Sequence, residues 1–219
     1  MIKEATSLAG LCLRRPAFRW LLLAFLAVAF LAVLIEYSIR SARLPARLWQ
    51  PLAGTPVVTD FRGRAVAVYA SPVARESYPL SLRDMGEWLP LATIGIEDTR
   101  FWTHPGVDIR AAVGATLRNI RNLRVISGAS TITQQLTKIS AESDERSLSR
   151  KVREALAALH LERNWDKKKI LEGYLNRLDY GNRRIGPEAA AKAYFGKHAR
   201  ELSLAEAIFL PVYRNLPRV

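Results

Sequence analysis

The feature that most constrains the fold of this 219-residue chain is an uninterrupted run of sixteen apolar residues, WLLLAFLAVAFLAVLI, from Trp20 to Ile35. At about 1.5 Å per residue, a helix of this length is slightly shorter than a ~30 Å hydrocarbon core, and the residues on either side make up the length. We therefore predict a transmembrane anchor over residues 17–38. A cleaved signal peptide is the alternative, but its apolar segment is usually shorter.

The composition of the chain indicates the size of its domain and the charge of the molecules that it binds. Hydrophobic residues make up 49% of the sequence, which is enough for one medium-sized domain with an apolar core. The net charge of +13 predicts an anionic partner, and nucleic acid, acidic lipid and phosphorylated substrates all meet this condition. No nucleic-acid-binding module is recognisable, and an anchor argues against nucleic acid. With a single cysteine, Cys12, an internal disulfide is excluded.

The pattern along the chain predicts four segments. Residues 1–16 form a short basic tail before the anchor at 17–38, and the arginines on the two sides of the anchor are too evenly matched in number to orient it strongly. Residues 39–88 contain five prolines, and we predict a stalk with short strands, including a hairpin around the turn Asp60–Gly63. Helical patterns dominate residues 89–219, with starts expected near Ile109, Thr131, Ser147, Lys167, Pro187 and Ser203. The expected fold is mainly α, with a short N-terminal β-hairpin and a transmembrane helix.

One candidate site begins with two adjacent carboxylates, Glu97 and Asp98, at the end of an apolar segment. The aromatic residues Phe101 and Trp102 follow closely, and such surroundings suit a carboxylate that accepts a proton from a sugar hydroxyl. We expect Asp98 to position the loop. For His104 we favour local hydrogen bonding over contact with substrate. An ordinary surface acid pair is the alternative.

A second candidate site is the polar segment SGASTITQQLTK, residues 127–138. Glycine allows close approach of the backbone, and the free amides at a helix N-terminus attract anions. Ser130 and Thr131 can cap the helix that follows, and Gln134, Gln135 and Lys138 supply hydrogen-bond donors and charge on that helix. The alternative is a polar loop followed by a helix cap.

The helix predicted from Ser147 to Asn164 carries the third candidate group. Arg150, Lys151 and Glu154 share one side of this helix because they are three and four residues apart. Its apolar stripe runs through Leu148, Val152 and Leu159, which is typical of an amphipathic helix. Taken alone, the charged residues are interpreted as a solvated ion-pair face.

Together these motifs resemble the peptidoglycan glycosyltransferase domain of monofunctional transglycosylases and class A penicillin-binding proteins. The resemblance rests on EDTRFWTHPG, GASTITQQLTK, RKVRE, KKKILEGYLN and AAAKAYFGK, in that order. It implies a lysozyme-like helical fold over residues 89–219. It also implies a single-pass protein of the bacterial inner membrane, with the tail at residues 1–16 in the cytoplasm and the catalytic domain on the outer, periplasmic face.

The activity implied by the resemblance is polymerisation of lipid II into glycan strands, with loss of undecaprenyl pyrophosphate. Glu97 matches the general base of the family and Glu154 its second essential acid, and we expect them to face each other across a cleft. The resemblance implies that the pyrophosphate, the sugar and the surrounding site are held by Asp98, Phe101, His104, Gly128, Ser130, Thr131, Gln134, Gln135, Lys138, Arg146, Arg150, Lys151 and Asn176.

The resemblance implies no required cofactor and leaves open a divalent cation, Mg²⁺ or Mn²⁺, at the pyrophosphate. Expected partners are lipid II, the growing glycan strand and membrane lipid, with other cell-wall synthesis proteins as candidates and no nucleic acid. A lysozyme-like glycan-cleaving enzyme and a catalytically decayed lipid II-binding protein are the alternatives. Ala129 and Ile139 depart from the family pattern. The end of the chain also departs from it, and from that end we expect a truncated domain or an unusually short member.

Overall fold

The structure is a computed structural model that describes residues 16–68, 75–122, 129–141 and 147–214. The chain divides into two compact units, Met1–Ala42 and Arg43–Val219. In the first unit, helix α1 spans Pro16–Ser41 and is long and apolar enough to cross a membrane, judged by length and composition. It extends three residues beyond the C-terminal end of the predicted anchor. The predicted tail, residues 1–16, lies outside the described residues except for Pro16.

The second unit is mainly helical with a few short strands, as the sequence predicted. Its strands are β1 (Val57–Thr59), β2 (Ala65–Val68), β3 (Glu76–Ser77) and β4 (Arg184–Ile185). Its helices are α2 (Trp88–Glu97), α3 (Ile109–Arg121), α4 (Ile132–Ala141), α5 (Leu148–Leu161), α6 (Lys167–Arg177), α7 (Pro187–Phe195) and α8 (Leu204–Arg214). Short 3-10 turns occupy Ala46–Leu48, Leu82–Met85 and Ala199–Glu201.

Local sequence signals account for most of the helix ends. The side chains of Asp108, Ser147 and Asp166 each accept a backbone N–H from the first turn of the helix that follows. Gly196 ends α7 in the left-handed conformation, which costs glycine little. Glu206 and Ser203 form the reciprocal bonds of a capping box at the start of α8.

The core forms where α4 packs against α5 and α6, and where α2 packs against α8. Leu136 of α4 and Tyr174 of α6 are fully buried, as is Leu89 of α2. Because α4 contacts both α5 and α6, it fixes the positions of residues from several sequence motifs relative to one another. The predicted hairpin is present as the antiparallel pair β1–β2, with an irregularity between Val58 and Thr59.

The structure corrects the interpretation of α5. Leu148 and Val152, assigned to its apolar stripe, are 89% and 59% exposed. The side chains of Arg150 and Glu154 are only 11% and 12% exposed, so the ion pair is not a solvated face. The reason is that α5 contacts the core through small and apolar residues in its second half, including Ala158, while Arg150 and Glu154 line a cavity together with Thr137 and Ala141 of α4.

Candidate active site

Glu97 is the last residue of α2, and its carboxylate is oriented by two residues from other helices. Gln135 of α4 donates from Nε2 to Oε2 of Glu97 over 2.8 Å. The other end of the same amide, Oε1, accepts the hydroxyl proton of Tyr174 of α6, also at 2.8 Å. Gln135 therefore contacts the carboxylate of Glu97 directly, and Tyr174 acts on it through Gln135.

A cavity of about 140 Å³ lies beside Glu97. Its walls come from the end of α2, the start of α3 and the segment that precedes α4, and include Ser130 and Ala129. Asp108 also lines this cavity, but its Oδ1 accepts hydrogen bonds from Arg100 Nη1 and from a backbone amide of α3. These contacts show that Asp108 caps α3 and pairs with Arg100.

Asp98 and His104 form a buried pair directly after Glu97. His104 Nε2 lies 3.0 Å and 3.1 Å from the two carboxylate oxygens of Asp98. The Gly106 amide donates to His104 Nδ1, so the ring proton lies on Nε2 and is donated to Asp98. Asp98 Oδ2 also accepts the backbone N–H of Ile132, the first residue of α4. This pair therefore joins the end of α2 to the start of α4.

The loop that contains His104 is fixed from a second direction by Lys167. Its ammonium donates to the backbone oxygen of His104 and to Oε1 of Glu162, at 2.7 Å in each case. The same ammonium lies 4.5 Å from the centre of the Phe101 ring, within the range of a cation–π contact. Phe101 itself is fully buried. We infer that the loop after Glu97 is rigid on its buried side.

A cationic cluster lies on the first half of α5. Arg150 Nε is 2.8 Å from one oxygen of Glu154, and Lys151 Nζ is 3.5 Å from the other. Lys151 Nζ also donates to Ser130 Oγ over 2.6 Å. Because Ser130 lines the cavity beside Glu97, this bond connects that cavity to the cluster around Glu154.

Three other residues predicted for the site, Thr131, Gln134 and Asn176, are buried and form hydrogen bonds to other residues of this chain. Thr131 and Gln134 bond to each other at the start of α4, and Thr131 Oγ donates to the backbone oxygen of Gly106. Asn176 makes two bonds to the backbone of Leu80. Contact of these three side chains with substrate remains a prediction, and their geometry favours a positioning role. Lys138 is exposed. Gly128 and Arg146 lie outside the described residues.

Sequence reasoning missed Tyr174 and Lys167. Both lie within KKKILEGYLN, the motif quoted for the resemblance, but the partners of Tyr174 and Lys167 lie 39 and 63 positions away along the chain. The spacing within one helix carries no signal for such contacts.

The side chains around the Glu97 cavity do not form a metal site by themselves. Within the described ranges, no group of three or more histidine, cysteine, aspartate or glutamate side chains is placed to hold a metal ion. In the cluster on α5, the carboxylate of Glu154 is already paired with Arg150 and Lys151. The donor set is thus suited to an anion, because it consists mainly of ammonium, guanidinium and hydroxyl groups.

The fold and site define a mainly helical protein with an apolar N-terminal helix, in which a carboxylate beside a cavity is linked to a cationic cluster. The sequence pattern of the transglycosylase family matches residues 63–219. The chain therefore belongs to the transglycosylase family.

Among curated proteins, the chain is similar to several penicillin-binding proteins. Penicillin-binding protein 1A of Aquifex aeolicus (strain VF5) is 42% identical over 169 residues, which cover 77% of this chain and 23% of that protein. Penicillin-binding protein 2D of Bacillus subtilis (strain 168) is 42% identical over 133 residues, covering 61% of this chain and 19% of that protein. Penicillin-binding protein 1A of Clostridium tetani is 39% identical over 158 residues, covering 70% and 20%. The chain spans less than a quarter of the length of each of these three relatives.

Proposed function

We propose that this chain is a peptidoglycan glycosyltransferase that polymerises lipid II at the outer face of the bacterial cytoplasmic membrane, anchored by α1. Family membership supports the reaction class. The observation that carries the proposal is the Lys151–Ser130 hydrogen bond, which connects the cavity of Glu97 to the cluster around Glu154. A transfer of this kind requires a base at the nucleophile and positive charge at the leaving group. The Lys151–Ser130 bond links the cavity beside Glu97, the proposed base, to the cations of α5.

In the proposed reaction, the 4-hydroxyl of the acceptor GlcNAc attacks the anomeric carbon of the donor MurNAc. Glu97 takes the hydroxyl proton as the new C–O bond forms. The bond to the lipid pyrophosphate breaks, the electron pair leaves with the pyrophosphate, and the configuration at the anomeric carbon inverts. Lys151 and Arg150 offset the negative charge that develops on the pyrophosphate, and Glu154 holds these two cations in place.

The role of a divalent cation stays a prediction. With Glu154 paired, a Mg²⁺ or Mn²⁺ ion at this place would take its ligands mainly from the pyrophosphate oxygens and water. The proposed steps use only the side chains of the chain itself. Lipid II, the glycan strand and membrane lipid are the proposed partners, with other cell-wall synthesis proteins as further candidates. The domain boundaries at residues 38 and 88 also stay predictions.

The decisive experiment is polymerisation of lipid II by the full chain in detergent, with products separated by length. We expect Glu97→Gln to lower the rate by about 10²–10⁴-fold, the usual contribution of a general base. Glutamine retains the size of the side chain, so folding is preserved. Glu87→Gln is the matched control, because Glu87 is exposed and makes no cap bond. We expect this control to retain its rate within twofold.

The same assay separates the alternatives. A glycan-cleaving enzyme would release fragments from mature peptidoglycan and form no polymer. A decayed lipid II-binding protein would show no turnover in either the parent or Glu97→Gln. The family resemblance also predicts inhibition of polymerisation by moenomycin. Polymer formation that survives in Glu97→Gln would contradict the assigned base.

A further inference from the structure

Two adjoining cavities lie against the segment that follows α1. They measure about 220 Å³ and 310 Å³ and share Arg43, Pro45 and Ala141 in their walls. We call them together the linker cavity, because residues 43–47 form one wall and α4 and α5 supply the rest. The first volume lies below the range of about 300–1,000 Å³ that is usual for small-ligand sites and the second lies at its lower end, so the cavities suit a headgroup better than a large ligand.

The linker cavity carries an excess of positive charge. Arg43, Arg150 and Arg153 line the smaller part together with a single carboxylate, Glu154. Arg47 lines the larger part. A guanidinium group presents paired N–H donors that match the oxygens of a phosphate group. The chemistry of the walls therefore points to a phosphate-bearing ligand.

An independent observation comes from Ser140, near the end of α4. Its side chain is buried, with 4% of the residue exposed, and it lines the larger part of the linker cavity. Among the residues that the structure describes, no group accepts or donates a hydrogen bond to its hydroxyl. A buried hydroxyl without a partner is unfavourable, and a phosphate oxygen in the cavity would satisfy it.

The place of Arg43 in the sequence selects a lipid as the source of the phosphate. Arg43 follows Ser41, the last residue of α1, by two positions, and two residues of extended chain reach at most about 7 Å. When α1 spans a membrane, Arg43 is therefore close to the level of the lipid headgroups. Apolar residues also line the cavity, including Pro45 and Ala157, and they suit the carbon atoms next to a lipid phosphate.

We propose that the linker cavity binds the phosphate of an anionic phospholipid that the protein does not turn over. The recognition is of the same kind as in the basic pockets between transmembrane helices that bind anionic lipid headgroups. This site adjoins the proposed glycosyl-transfer site and shares Arg150 and Glu154 with it. It goes beyond that reaction because it takes a lipid without a sugar and adds Arg43 and Ser140, which have no role in the transfer. Its test is a binding measurement, which is independent of turnover.

The test uses the full chain in a neutral detergent, titrated with phosphatidylglycerol, with bound lipid counted by native mass spectrometry. We expect Arg43→Gln to weaken binding about tenfold and Ser140→Ala about threefold. Arg40→Gln is the matched control, because it removes the same charge close to Arg43 from a residue outside the linker cavity. The control should bind within twofold of the parent. Equal losses for Arg43→Gln and Arg40→Gln would overturn the proposal, since general surface charge would then explain the binding.

Competition identifies the source of the phosphate. Inorganic phosphate at the same concentration should leave phosphatidylglycerol bound, and displacement by it would show an ion site instead of a lipid site. Displacement by undecaprenyl pyrophosphate at matched concentration would assign the cavity to the leaving group, which also overturns the proposal. Glu97→Gln should bind phosphatidylglycerol as the parent does, so a failure of the proposed reaction is distinguishable from a failure of this site.

Melting temperatures test whether Ser140→Ala is folded as the parent is. Without lipid, its melting temperature should equal or exceed that of the parent, because the variant removes a hydroxyl that has no partner. With saturating phosphatidylglycerol, the parent should gain more in melting temperature than the variant. An equal gain in both proteins would show that the hydroxyl does not meet the lipid and would contradict its part in the site.

Discussion

The orientation of the Gln135 side-chain amide decides whether the Glu97 carboxylate faces a hydrogen-bond donor or an acceptor. Gln135 can present either its NH₂ group or its carbonyl oxygen to Glu97. The hydroxyl of Tyr174 donates to the carbonyl oxygen and so turns the NH₂ group toward Glu97. Tyr174 is fully buried. Its hydroxyl acts on the candidate base Glu97 through the hydrogen bond to Gln135.

Replacing Tyr174 with phenylalanine tests this arrangement. Without the hydroxyl, the Gln135 amide can rotate and place its oxygen against the Glu97 carboxylate. We expect a loss of about 1 kcal/mol of positioning, the typical value of one hydrogen bond, and so about fivefold slower polymerisation. The rate at saturating lipid II is the measurement.

Tyr194→Phe is the control for that change. It removes a comparable hydrogen bond, from the Tyr194 hydroxyl to the backbone oxygen of Tyr180, away from Glu97. We expect it to lower stability by a similar amount and to leave polymerisation unchanged. If both variants slow the reaction equally, Tyr174 acts through general stability and has no specific role.

Between elements, Asp98 is the residue that joins α2 to α4. It accepts hydrogen bonds from His104 and from the Ile132 amide, and both donors are buried with it. In Asp98→Asn, one carboxylate oxygen becomes an NH₂ group that faces one of these donors. We expect the free energy of unfolding to fall by about 2 kcal/mol, the cost of a buried group without its partner.

Urea denaturation measures this loss, and a polymerisation assay should show a slower reaction, because Asp98 directly follows Glu97. Asp84→Asn is the control, since Asp84 is exposed and bonds only within its own 3-10 turn among the contacts described. Equal stability of Asp98→Asn and the parent would show that the loop does not depend on this junction.

Glu188 joins α7 to the 3-10 turn before α8, and from this contact we expect the stability of the protein to depend on pH. Burial acts to raise the pKa of Glu188, but the hydrogen bond from the Ala199 amide acts to lower it. Contacts with Lys192 and His198 lower it further, and the net pKa lies below the ordinary value of 4.5. Because the folded pKa is lowered, ionised Glu188 contributes stability above pH 4.5, and this contribution is lost as the pH falls below that value.

Melting temperatures of the parent and Glu188→Gln between pH 7 and pH 3 test this effect. We expect the parent to be more stable at neutral pH, and the difference to narrow below pH 4.5. Glu87→Gln, which changes an exposed glutamate, should show no such trend. A difference that stays constant across the range would contradict the assigned role of Glu188.

Helix starts and ends could be read from the sequence because each depends on a few adjacent residues. Asp108, Pro187 and Gly196 specify their helix ends through their own side-chain chemistry or backbone freedom. The short pairing of β3 with β4 could not be predicted, because it joins Glu76 to Arg184 across more than 100 residues. The burial of Arg150 and Glu154 was also missed, since the spacing within α5 does not show which side meets α4.

At the scale of the whole molecule, α1 is a separate compact unit whose sequence satisfies the length and apolarity of a membrane span. Val28 and Leu31 lie in its apolar segment and are exposed. An arginine near the centre of such a helix costs about 2.5–3.5 kcal/mol of insertion free energy. We expect the double variant Val28→Arg, Leu31→Arg to shift much of the protein from the membrane to the soluble fraction after alkaline carbonate extraction.

The control for this change is Val58→Arg, Phe61→Arg, which adds two arginines at exposed apolar positions of the hairpin and its turn. This control should stay in the membrane fraction. Equal release of both double variants would show that α1 is not the anchor.

The sequence by itself determined the apolar helix, the mainly helical class and the residue types of the site, because these depend on local runs, on periodicity and on motifs in a fixed order. Only the tertiary structure decided which of those residues meet. Gln135 reaches Glu97 and Lys151 reaches Ser130 because α4 packs against its neighbours in one register. The linker cavity is likewise a product of packing, since its walls come from separate parts of the chain. Long-range packing energies select such contacts, and spacing along one helix does not encode them.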